Sequence, residues 1–259
     1  MTPQERERAG TLLRQGSWFQ GLPRQLQDAI VERSRPRVYA KGEVIAAEGS
    51  PAAGLYAILE GRVSWTRSVA DPGGETLLYI AGPGAWFGSL ALVRGTPTQF
   101  KVAAHTAARI LVLPRAEYQR LIEEDPECYR RIVDHALERF EVLIRVHAES
   151  RRLTTEELIP VQLATLCELR RAELRQSGGG VTLGLSQGEV AAMVGVSRQT
   201  LNAALRRLAA KELIEPGFRQ IRIADPARLR GAGVAALRSG QRSVAKRGDA
   251  TRKRRRHGN

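Results

Sequence analysis

Apolar positions change their rhythm three times along this chain. From Thr11 to Arg33 they recur with the spacing of a helical face, and Leu12, Leu13, Phe19, Leu22, Leu26 and Ile30 are the positions expected to be buried. From Arg37 to Leu113 the pattern breaks into short apolar runs, VIAA, LYAILEG, RVSW, TLLYIA and ILVL. Lys41-Gly42, Glu48-Gly49-Ser50-Pro51, Asp71-Pro72-Gly73-Gly74 and Gly82-Pro83-Gly84 separate them. Short runs between such turn signals predict an antiparallel sandwich or roll. Gly61 falls between two of the runs, where glycine makes a tight reversal cheap.

From Pro126 to His147 the period is helical again. Val133, Leu137, Phe140 and Ile144 recur at spacings of four, three and four, and Tyr129, Ile132, Ala136 and Leu143 broaden the stripe. A helix so widely apolar has either two neighbours, the roll and the same helix of a second chain, or one broad core face inside a monomer. Leu158 to Leu174 predicts a further helix, which Ser177-Gly178-Gly179-Gly180 ends.

The most specific pattern runs from Leu185 to Ile214, LSQGEVAAMVGVSRQTLNAALRRLAAKELI. Ala191 is small enough for two helices to cross, and Gly195 fits a turn position that needs φ > 0. Ser197 can cap a second helix, and Val190, Val194, Val196, Leu201, Leu205 and Leu208 supply inward faces. Long polar side chains, Arg198-Gln199-Thr200, stand at the N-terminal end of that second helix, where a recognition helix enters the major groove. A helix-turn-helix with recognition helix Arg198–Ala210 is the expectation. Its expected DNA contacts are Ser197, Arg198, Gln199, Thr200, Asn202 and Arg206, although Arg206, like Arg207, also reads as a solvated or backbone-contacting charge. Glu215 to Ile223 reads as a turn and a short strand that would form a wing with Val181-Thr182-Leu183, and Asp225-Pro226 would close the domain.

Charge agrees with a polyanionic partner. The 259 residues carry a formal +14, and nine Lys/Arg against one Asp from Gly231 to Asn259 put +8 of it in the tail. That tail has no apolar period and is expected to be disordered, as a phosphate-binding arm or merely a solvating one. Cys128 and Cys167 have no paired spacing, so neither a disulfide framework nor a structural zinc site is expected. With no signal peptide and no apolar run near the length of a membrane span, the chain reads as cytoplasmic, with no membrane partner.

Three stretches together resemble the Crp–Fnr superfamily of bacterial transcription regulators. YAKGEVIAAEGSPAAGLYAILEGRVSW (Tyr39 to Trp65) is similar to the opening hairpins of the cyclic-nucleotide-binding roll, and GPGAWFGSLAL (Gly82 to Leu92) to its phosphate cassette. The helix-turn-helix with its wing is the third. The resemblance implies an α+β chain in four parts: an effector-type β-roll with N-terminal helices (1–125), a dimerisation helix (126–150), a winged-helix DNA-binding domain (151–230) and the basic tail (231–259). It implies a homodimer on a palindromic operator through Val133, Leu137, Phe140 and Ile144. It also implies RNA polymerase and an unidentified small-molecule effector as partners.

The same comparison places an effector pocket at Gly88, Ser89, Leu90, Thr98 and Gln99. Cyclic-AMP-binding members carry a glutamate after the cassette glycine, where this chain has Ser89, and an Arg-Ser pair where it has Thr98 and Gln99. A buried phosphate without a cationic partner is costly. Arg94 or Lys101 could substitute, but Lys101, between Phe100 and Val102, should face away from them. Cyclic AMP is therefore not expected. No cysteine precedes Cys128, which argues against an iron–sulfur cluster. His105, the one histidine of the roll, reads as solvated rather than as a haem ligand. His135 and His147, on the long helix, read as interfacial or exposed. In the family the recognition helix typically begins Ser-Arg-Glu-Thr, with a further Arg four residues after the Glu. Gln199 and Ala203 replace those two residues here, so the family's best-known operator is not implied.

Two other functions fit parts of the pattern. The roll could be the regulatory module of a larger assembly, although no nucleophile–base constellation or phosphate-binding glycine motif appears. The basic tail would suit a nucleoid-type architectural protein.

Overall fold

The computed structural model describes residues 1–69, 74–173 and 180–235. Its N-terminal segment is three helices rather than one run beginning at Thr11: α1 (Pro3–Leu13), α2 (Ser17–Gln20) and α3 (Arg24–Arg33). The start lies earlier because Thr2 and Glu5 form a reciprocal capping box with Pro3 at the first helical position. The run breaks at Gly16, which is extended, and before Pro23, which has no N–H to continue a helix and disfavours helical backbone at Leu22. The apolar positions were nonetheless read correctly. Leu13, Phe19, Leu22, Leu26 and Ile30 are buried, with Leu12 packed at their margin.

The roll follows as β1 (Arg35–Tyr39), β2 (Val44–Ala46), β3 (Gly54–Glu60), β4 (Val63–Val69), β5 (Gly74–Ala81), β6 (Trp86–Phe87), α4 (Ser89–Arg94), β7 (Lys101–Ala104), β8 (Ala108–Pro114) and α5 (Arg115–Glu124). Two four-stranded antiparallel sheets form, ordered β1-β8-β3-β6 and β2-β7-β4-β5. Side chains alternate along a strand, so β3 and β8 serve two cores. Tyr56, Ile58, Ile110 and Val112 meet Tyr39, Val63, Phe87 and Val102 inside the roll. Leu55, Ala57, Leu111 and Leu113 turn the other way, onto Leu13, Phe19, Ile30, Leu121 and Ile132. Coverage on both faces explains why LYAIL and ILVL are unbroken apolar runs. Gly61 makes the β3–β4 reversal at φ +80°, where a Cβ would stand 2.1 Å from the Ala107 carbonyl oxygen.

α6 (Pro126–Ser150) is the expected long helix, begun by Asp125, whose side chain accepts from the Glu127 N–H, and by Pro126. At 25 residues it is about 37 Å long. It buries Cys128, Ile132, His135 and Val146 against the rest of the chain. Burial pushes the Cys128 thiol up to about 11, which makes it a poor nucleophile. His135 was expected at an interface or in solvent but lies buried. Its ring stacks on Trp18 at 4.9 Å, and Trp18 Nε1 donates to the Arg131 carbonyl at 2.8 Å. Burial, with Arg139 adding to it, pushes His135 down to about 3. The unfolded chain would take up this proton near pH 6.5 while the folded chain refuses it, so acid favours unfolding. Between about pH 6.5 and 3 the penalty should approach about 1.4 kcal/mol per pH unit. Denaturant titrations from pH 7 to pH 4.5 should show His135→Phe losing less stability per unit than the unmodified protein. Parallel slopes would contradict the assignment.

α7 (Thr155–Glu173), β9 (Val181–Leu183), α8 (Gln187–Val194), α9 (Arg198–Ala210), β10 (Glu215–Gly217) and β11 (Gln220–Ile223) complete the named elements. The last three strands form a sheet ordered β10-β11-β9, the expected wing. Asp225-Pro226 opens a helix over residues 226–235 instead of closing the domain, because Asp225 Oδ1 accepts from the N–H groups of Ala227 and Arg228. That helix belongs to the core. Leu229 is fully buried, Arg230 bonds Glu149 at 2.5 Å and Thr165 at 2.9 Å, and a Cβ on Gly233 would strike the Glu157 carbonyl. The first residues of the expected tail are thus folded, and residues 236–259 lie outside the described ones. Among the described residues no helix is long and apolar enough to cross a membrane.

Candidate nucleic-acid interface

α8 and α9 are built as their sequence demands. Ser186 accepts from the Glu189 N–H while the Glu189 carboxylate accepts from the Ser186 N–H, closing a capping box at the start of α8. Gly195 ends α8 at φ +77°, its N–H bonded to the Ala191 carbonyl at 3.0 Å. Ser197 then caps α9 by accepting from the Thr200 N–H at 3.0 Å. Leu201, Ala204, Leu205 and Leu208 bury one face of α9, joining Val190, Ala191, Ile221 and Ile223 in one core.

Those buried positions leave the expected contact residues differently placed. Ser197, Arg198, Gln199 and Arg206 are exposed, so the long donors at the N-terminal end of α9 stand clear of the core. Thr200 is half-buried, with its hydroxyl 2.8 Å from Ser197 Oγ, a pairing that holds the cap. Asn202 is also half-buried, and its Oδ1 is turned into the protein without a hydrogen-bond partner. Arg207 bonds Glu156 on α7 at 3.0 Å and is therefore tied to the domain itself.

The expected effector residues fall on two segments of the chain, one at the start of α4 and one before β7. Gly88 stands before α4 at φ +92°, where a Cβ would lie 2.6 Å from the Gly54 carbonyl oxygen, so only glycine fits. Ser89 is half-buried at the start of α4 and Leu90 is exposed. Thr98 pairs through its backbone with Ser50 and Gly49, each at 2.8 Å, and Gln99 folds back to the Pro97 carbonyl at 3.1 Å. Lys101 bonds Glu75 at 2.6 Å across β4 of its own sheet, on the face opposite Val102, as its alternation with Val102 suggested.

Sequence reading missed the junction between the roll and the helix-turn-helix. Glu189 is its centre, with a side chain only 11% exposed. His105 Nε2 lies 2.5 Å from Glu189 Oε1, Arg62 at 3.5 Å and Arg219 of the wing at 3.8 Å. Burial alone would raise this carboxyl, but the bonds from Ser186 and His105 and the Arg62 charge hold it below the ordinary carboxylate value. His105 is therefore half-buried and engaged, not solvated. Arg62 also donates to the Gly184 carbonyl at 2.7 Å, and Ile80 of β5 enters the core formed around α8 and α9. The S-x-x-E spacing of Ser186 and Glu189 was legible as a capping box. Its partners, 84 residues away at His105 and further at Arg62, had no local signal.

Comparison with known proteins agrees with this architecture. Residues 36–125 match the cyclic nucleotide-binding domain, and residues 163–232 the Crp-like helix-turn-helix domain. A CRP-like cAMP-activated global transcriptional regulator of Mycobacterium tuberculosis is 31% identical over 84% of this chain and 96% of its own length. The transcriptional regulator SdrP of Thermus thermophilus is 30% identical over 78% of this chain and 95% of its own length. The solved structure of FixK2 from Bradyrhizobium japonicum, 20% identical, superposes with a TM-score of 0.64 over 77% of this chain and 96% of that one. This last likeness is one of fold.

Proposed function

Because this chain belongs to the CRP-like family of transcription regulators, whose helix-turn-helix binds DNA, we propose that it acts as a homodimer on a roughly palindromic operator. The observation that carries the reading is the free face of α6. Leu137, Phe140 and Ile144 are 53%, 57% and 51% exposed on a helix whose opposite side is packed on the chain. Solvent-facing apolar side chains at this spacing need a partner, and a second α6 supplies the same spacing. Val133, half-buried, extends the stripe toward the roll. Two copies so joined would present two recognition helices about one helical turn of DNA, near 34 Å, apart. Ser197, Arg198, Gln199, Thr200 and Arg206 are the proposed contacts, Arg198 and Gln199 reading bases. Asn202 is a secondary one, since contact requires its amide to turn outward.

The roll has the family's shape with altered ligand chemistry. Ser89 offers a hydroxyl where a carboxylate would hold a ribose, Thr98 and Gln99 carry no charge, and Lys101 is spent on Glu75. Cyclic AMP is therefore not the effector in this reading, and an unidentified small molecule takes its place. Calorimetric titration of the purified protein at millimolar cyclic AMP should give no saturable heat. Micromolar binding would mean that the cassette keeps a phosphate site through Arg94 or a displaced Lys101, and would overturn this part of the proposal.

A further inference from the structure

The wing carries a feature that the fold does not need. Residues 218 and 219 form the turn between Gly217 and Gln220, and Phe218 is 92% exposed at its tip. Beside it Arg219 is held at φ +52°, a left-handed conformation that side chains other than glycine rarely adopt. Positive φ at the second residue is ordinary for a two-residue hairpin turn, so the turn itself accounts for Arg219. The Phe218 ring, in contrast, stands in water at the tip and touches no core.

The position of the tip says which partner. Arg219 reaches Glu189 in the first turn of α8, and Gly188 of that same turn lies 3.8 Å, measured from where its Cβ would be, from Arg198 Nε. Wing tip, α8 start and the exposed end of α9 therefore share one side of the domain. From Ser186 to Ile223 the chain has six Lys/Arg, at 198, 206, 207, 211, 219 and 222, against three Glu, at 189, 212 and 215. Three of the six are paired, Arg207 with Glu156, Arg219 with Glu189 and Arg222 with Glu215, while Arg198 and Arg206 of α9 stand exposed. A ring projecting on the side of the domain that carries Arg198 suits duplex DNA better than an apolar protein groove.

We infer that Phe218 is a wedge that enters the minor groove beside the half-site read by α9, partly unstacking one base step while Arg219 meets the flanking phosphates. Apolar side chains inserted in this way kink the duplex, and the deformation is cheapest at pyrimidine–purine steps. The wing would thus add sequence preference outside the recognition helix's reach, through deformability rather than hydrogen bonds. This inference rests on the DNA-reading role proposed for α9.

The test uses a genomic fragment selected by the full-length protein, with Phe218→Ala, Phe218→Trp and Arg198→Ala compared. Phe218 supports no core, so Phe218→Ala should melt like the unmodified protein. It should bind the fragment about tenfold more weakly, bend it less in a circular-permutation gel, and lose any preference for a TA over a GC step in the flank. Phe218→Trp should keep affinity and bend, with its indole emission quenched on binding. Unchanged affinity and bend in Phe218→Ala, while Arg198→Ala loses operator preference, would overturn the wedge alone. An unchanged Arg198→Ala would overturn the helix reading and the wedge with it. Loss of transcription in Phe218→Ala without any change in DNA binding would overturn it in favour of a protein partner.

Discussion

Replacing Arg198 by alanine should collapse the preference for the operator while leaving much of the nonspecific affinity. The side chain is the first of α9, exposed beyond the Ser197 cap and clear of the domain's core. A guanidinium there can reach guanine O6 and N7 together, a contact that discriminates by about 1–3 kcal/mol, or roughly 5- to 150-fold. The basic tail should behave in the opposite way. Its nine Lys/Arg lie beyond residue 235, so removing residues 236–259 leaves the helix over 226–235 and its buried Leu229 intact. That deletion should weaken operator and competitor binding alike and flatten the dependence on salt, since fewer counterions are released. Competition binding at several salt concentrations separates the two effects. If the tail deletion removed sequence preference and Arg198→Ala did not, the reading helix would be misassigned.

If α6 joins two chains as proposed, the double substitution Leu137→Glu, Ile144→Glu should leave the protein monomeric. Both side chains are about half exposed in the single chain, so the carboxylates fall on a surface that the monomer can solvate. In a dimer they would face a second apolar helix, and each lost side chain would forgo about 1.5–3 kcal/mol of burial. Light scattering should show the mass halved with the melting of the roll core retained. Operator affinity should fall far more than either half-site alone explains, because the second recognition helix loses its tethered, high effective concentration. An unchanged mass would show that the exposed face of α6 is not the interface.

The sequence disclosed whatever local periodicity and local chemistry determine. β3 and β8 announced themselves as apolar runs because both their faces are covered, and Gly195 and Ser197 announced the turn because it needs left-handed backbone and a cap. The breaks at Gly16 and Pro23 were equally local, but the apolar spacing ran across them and masked them. His135 was misjudged because a histidine on a long helix gives no sign of the Trp18 ring that covers it from another helix. Asp225-Pro226 reads equally well as the end of one element and the start of the next, and only the apolar Leu229 beyond it favoured a helix. The junction at Glu189 depends on residues from the roll, the wing and α8 that meet only after folding.

Hydroxyl-radical footprinting on a selected genomic fragment tests the central claim most directly. A dimeric, sequence-specific regulator should protect two discrete half-sites centred about one helical turn apart, near 34 Å. Uniform protection along the fragment, with no half-sites at any protein concentration, would contradict it and favour an architectural role driven by charge.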